Sequence, residues 1–109
     1  MTNPKKRKGD AAEREAAEIL TEALGYECTR TMSAGIPGDI GDIYGIPDTV
    51  CQIADWKDKS AACLQKPREV EQQRLNAKAK RALSMVRFRG GKDNWRVVMT
   101  VEQFARFIK

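Results

Sequence analysis

Between Asp42 and Trp56 the chain reads DIYGIPDTVCQIADW, and no other stretch limits the fold so narrowly. Two strand-favouring runs, Asp42–Ile46 and Val50–Trp56, flank an Ile-Pro-Asp-Thr tip, the pattern of a β-hairpin. Acids stand in these apolar runs, and a carboxylate is costly to bury unless its charge is offset. If the hairpin turns at Asp48–Thr49, Asp42 faces Asp55, with β-carbons about 5 Å apart. Two like charges that close repel and call for a cation between them. Lys57 lies two residues beyond Asp55, and strand alternation puts both on one face.

The rest of the chain supplies elements to cover this hairpin. Asp10–Gly25 has helical periodicity, with Asp10 as N-cap, Glu13 completing a capping box and Gly25 as the stop. Ala12, Ala16, Ile19, Leu20, Ala23 and Leu24 form its apolar face. Glu13 is the one charge that leans inward, among Ala16, Ala17 and Leu20. A short strand follows in YECTRTM, then a Gly-rich loop, SAGIPGDIG. A second helix is expected from about Pro67 to Leu83, since proline suits a first helical turn. SMVRF and WRVVM read as two short strands, and Thr100 caps a last helix with Gln103 closing its capping box. The predicted order is α-β-β-β-α-β-β-α, an α/β (α+β) fold with a mixed sheet flanked by helices. Residues 1–9 read as a basic arm and 10–109 as one domain.

Composition narrows the chemistry. The 109 residues carry a net charge of +5, and the cations cluster in two places. Lys5, Lys6, Arg7 and Lys8 form the first cluster; Arg74, Lys78 and Arg81 belong to the second, which runs to Arg89. Such patches suit a polyanion, most simply nucleic acid, or serve only as a solvated surface. There is no histidine. Ser–His–Asp and Cys–His nucleophiles, histidine bases and His-bearing zinc sites are therefore excluded. Cys28, Cys51 and Cys63 lack metal spacing and read as reduced thiols of an intracellular, cytoplasmic protein, with Cys51 in the core. No run is long enough to span a membrane. Chemistry is left to oxygen ligands and lysine. Two carboxylates converging at a sheet end suit Mg²⁺ or Mn²⁺, and Glu13 is placed to approach as a further ligand.

The motif order, Asp42, twelve residues, then Asp55-x-Lys57 with an upstream helical glutamate, resembles the PD-(D/E)xK nuclease superfamily. KRKGDAAERE, SAG, GDI, GIP and ADWK are similar to small Holliday-junction-resolvase-type nucleases of phages, actinobacteria and archaea. The likeness extends more loosely through EQQRLNA and DNWRVVMTVEQF. It implies a restriction-endonuclease-like core and a catalytic set of Glu13, Asp42, Asp55 and Lys57. Asp42, Asp55, Glu13 and the Trp56 carbonyl would hold Mg²⁺ or Mn²⁺. The third-place acid is aspartate where glutamate is usual. Asp39 rivals Asp42, though the twelve-residue gap and the hairpin favour Asp42.

Ser33 and Gly35 would approach the DNA backbone, or form a turn. Lys59 would contact phosphate, or only water. Gln72 or Gln73 would support the site from the second helix, or lie on the surface. The resemblance further implies branched DNA as substrate, a role in recombination and repair, and a homodimer, since symmetric cutting of a four-way junction needs two sites on a two-fold axis. A nuclease of another substrate class (flap-cutting or nicking) and a non-catalytic DNA-binding module are the alternatives.

Overall fold

The computed structural model describes residues 4–31, 41–89 and 94–109, the side chains of 4–10 excepted. Its elements follow the predicted order. Helix α1 spans Pro4–Leu24, β1 Thr29–Arg30, β2 Ile43–Tyr44, β3 Thr49–Ala54, α2 Lys59–Ala77, β4 Arg81–Arg87, β5 Trp95–Val98 and α3 Val101–Ile108. The five strands form one mixed sheet in chain order. β3 and β4 run parallel, joined by the crossover helix α2; the other neighbours are antiparallel. No helix among the described residues is long and apolar enough to cross a membrane.

Strand alternation sorts the core into two layers. Cys51 and Ile53 of β3 point with Leu83 and Met85 of β4 toward α1, where Ala12, Ala16, Ala17 and Leu20 cover them. Val50 and Ala54 point the other way, packing with Val70 and Ala62 of α2. Alanines at the α1 contact let helix and sheet approach closely. The apolar stripe of α1 is shorter than its periodicity suggests: Ala23 and Leu24 are exposed. The helix also begins at Pro4, so Asp10 lies inside it rather than at its cap, and residues 4–9 belong to the helix instead of an arm. Its end falls where expected. Gly25 takes a φ of +79°, which costs a glycine little, and its N–H donates to the Thr21 carbonyl at 3.0 Å.

Helix α2 departs most from the sequence reading. It starts at Lys59, capped by the Asp58 carboxylate, which accepts the Ala61 N–H at 3.0 Å. Pro67 is therefore interior and buried, leaving only the Cys63 carbonyl without its helical donor. The helix ends at Ala77, with Lys78 in a left-handed conformation whose N–H donates to Leu75 O at 3.2 Å. Arg81, Ala82 and Leu83 belong to β4. The basic stretch Arg74–Arg89 is thus part helix and part strand, not one basic helix.

The hairpin also has a different register. Ile43 pairs with Cys51, so Asp42 does not face Asp55. The turn is pinned earlier than Asp48–Thr49. Gly45 and Asp48 both take positive φ, and Asp48 accepts the Arg81 N–H on its carbonyl at 3.1 Å and the Lys80 N–H on Oδ1 at 3.2 Å. The Asp42 N–H donates to the Cys51 carbonyl at 2.8 Å. Two residues, Asp42 and Ile43, thus oppose Cys51, as in a β-bulge.

Candidate active site

One end of the sheet gathers the acids that the sequence singles out. β1 ends there, β2 begins there, and parallel β3 and β4 both end there. The Thr31 N–H donates to the Asp42 carbonyl at 2.9 Å, joining β1 to the start of β2. The Asp42 carboxylate accepts the Ile53 N–H on Oδ2 at 2.9 Å. Asp55 lies two residues further, roughly 7 Å along an extended chain. Helix α1 crosses above this end. Its Glu13 accepts Arg30 Nε at 2.9 Å, and its Glu15 accepts the Trp95 indole N–H at 2.7 Å.

The Asp55 side chain is 11% exposed, against 25% for Glu13. Arg87, at the end of β4, reaches Asp55 Oδ2 and Glu15 Oε2, both at 3.3 Å. Lys59 lies 3.6 Å from Asp55 Oδ1. Both oxygens of Asp55 thus face cations, which answers how this acid is tolerated beside the core. Arg87 Nε is buried with no hydrogen-bond partner among the described residues. Neither Glu15 nor Arg87 carries a sequence signal for this role. They meet only because β4 lies beside β3 under α1.

Lys57 sits differently. β3 ends at Ala54, so strand alternation stops before it; it lies at a bend, exposed, with no carboxylate partner among the described residues. Trp56 packs on the α2 side with Ala54, Ala62 and Val86, beneath the Lys66 ammonium at 5.0 Å. That is the face opposite Asp55. Arg74 and Arg81 are tied into the fold. Arg74 bonds to Glu71 and the Ala79 carbonyl; Arg81 reaches the Pro47 carbonyl and covers the Phe107 ring. Lys78 is exposed. Ser33, Gly35, Asp39 and the side chains of Lys5, Lys6, Arg7 and Lys8 lie outside the described residues.

The donor set is that of a hard cation. Histidine is absent, and burial pushes the Cys51 thiol, with the charge of Asp42 adding to it, and the Cys28 thiol above the ordinary range. Carboxylate and carbonyl oxygens remain, a set that suits Mg²⁺ or Mn²⁺ over zinc. Among the described residues no three His, Cys, Asp or Glu side chains stand together as a ready ligand group. Glu13 and Asp55 are held by arginines, and Asp42 by a backbone N–H.

Sequence reasoning passed over Gln52. It is the lone polar residue in the run Val50–Ala54, is 7% exposed, and its Oε1 is buried with no hydrogen-bond partner among the described residues. It lines a groove with Glu69, Gln72, Gln73 and Asn76 of α2. A polar residue interrupting an apolar strand was the available signal. No family model, no curated protein and no solved structure matches this chain.

Proposed function

We propose that this chain is a divalent-metal-dependent DNA endonuclease that hydrolyses phosphodiester bonds, with branched DNA as its substrate. The observation that carries the reading is the placement of Asp42 and the Asp55-x-Lys57 segment at one end of a mixed sheet, with Glu13 of α1 above it. A mixed sheet flanked by helices is in keeping with the restriction-endonuclease-like core that the resemblance implies. Asp42 and Asp55 would hold Mg²⁺ or Mn²⁺, with Glu13 and the Trp56 carbonyl as further oxygens. Such an ion, when bound, polarises the phosphate and lowers the pKa of an attacking water.

The chain's own residues divide the remaining work. Lys57, exposed beside Asp55, orients the water or stabilises charge on the phosphate. Arg87 and Lys59 hold Asp55 in place. Glu13 is held in place by Arg30. Lys78 and the basic segment Lys5–Lys8 supply phosphate contacts, so binding weakens steeply with salt. A homodimer presents two such sites to a four-way junction.

The test is cleavage of a synthetic four-way junction in Mg²⁺, beside a linear duplex of the same sequence. The reading expects junction cleavage that chelation stops and that Lys57→Ala lowers about 10²–10³-fold. Equal cutting of duplex and junction contradicts the branched substrate. Tight binding without cutting in Mg²⁺ or Mn²⁺ contradicts catalysis and favours a binding module.

A further inference from the structure

The register moves Asp42 away from Asp55 and leaves it opposite Cys51, next to Gln52. Asp42 engages both peptide groups that flank Gln52, donating its N–H to Cys51 O at 2.8 Å and accepting the Ile53 N–H at 2.9 Å. Gln52 points to the α2 face, into a groove of about 240 Å³ that also holds Glu69, Gln72, Gln73 and Asn76. Its Oε1 is a buried acceptor without a donor among the described residues. An unsatisfied buried acceptor of this kind is destabilising. Amide carbonyls are ordinary ligands of hard divalent cations, which ask only for oxygens. On the α1 face, by contrast, the carboxylates of Glu13 and Asp55 already face arginine or lysine.

We infer that the Gln52 side-chain carbonyl is an oxygen ligand of the divalent cation, on the α2 side of Asp42. This rests on the metal-dependent reading above and adds to it a ligand that carries no charge. Gln52 lowers the net negative charge of the site relative to an acid, so the site binds its cation more weakly than a paired-carboxylate site would. Replacing the amide by a carboxylate therefore tightens binding.

Mn²⁺ titrated into the ¹⁵N-labelled full chain tests this by paramagnetic broadening. Broadening should appear first at the Gln52 side-chain amide and the Ile53 backbone amide. Mn²⁺ affinity should fall about tenfold or more in Gln52→Leu and rise in Gln52→Glu. The two Gln52 variants move in opposite directions, so general loss of folding cannot imitate the result. Broadening centred on Asp55 and Glu13, with affinity lost in Asp55→Asn and kept in Gln52→Leu, overturns the assignment while leaving the nuclease reading intact. Absence of any Mn²⁺ effect at millimolar concentration overturns the assignment too, and junction cleavage then decides separately whether the nuclease reading survives.

Discussion

Single residues in this fold are held by charge as much as by packing. Gln103 is fully buried, yet every polar end is used: its amide donates to the Pro67 carbonyl at 2.8 Å and to Glu71 at 3.0 Å, and its oxygen accepts the Thr100 N–H at 2.8 Å. Gln103→Ala should cost about 2–4 kcal/mol in urea unfolding, because it orphans partners as well as opening space. Burial alone would raise the pKa of Glu71. Hydrogen bonds from Gln103, Arg106 and Arg74 outweigh it and hold the carboxyl below its usual range. A lowered folded pKa gives stability that is full above the unfolded value of about 4.3 and lost as pH falls through the folded one. The stability gap between the native chain and Glu71→Gln should thus be constant near neutrality and shrink in acid; a gap that widens below pH 4 would contradict the sign. Asp55 is likewise held by cations, Arg87 and Lys59. Arg87→Met should lose about 1–3 kcal/mol, since it leaves Asp55 and Glu15 partly enclosed without their shared cation.

At the scale of elements, tight approaches decide what the sequence can tolerate. Gly45 has a φ of +131°, and a β-carbon there would lie 2.6 Å from the Glu27 carbonyl oxygen. Gly45→Ala should destabilise by about 2 kcal/mol or more, from backbone strain and a clash that backbone cannot relieve. A melting temperature unchanged from the native chain would contradict this. The same turn explains what could be read beforehand. Two strands around Ile-Pro-Asp-Thr were legible from β-branched residues and turn chemistry. Their register was not, because it depends on Asp48 bonding to Lys80 and Arg81, far along the chain. The start of α2 was misread for a local reason: Pro67 drew the boundary inward, while the Asp58 cap lay nine residues earlier. The acids of the site were legible as acids out of place. Their partners Arg87 and Glu15 were not, since only the parallel β3–β4 pairing brings them together.

At the scale of the whole molecule, the proposed nuclease would use the acidic sheet end and the basic segments as one DNA-cutting surface. Affinity for DNA should fall linearly on a log–log plot against salt, with a slope near −0.9 for each phosphate contacted. A slope near zero would remove the basic residues from recognition. The central claim is that the sheet end bearing Asp42 performs metal-dependent hydrolysis. Single-turnover cleavage of a four-way junction by Asp42→Asn addresses it most directly, because that change keeps size and removes the negative charge. The account predicts a loss of about 10²-fold or more in rate in Mg²⁺, with the junction still bound. Cleavage at the native rate by folded Asp42→Asn would contradict it.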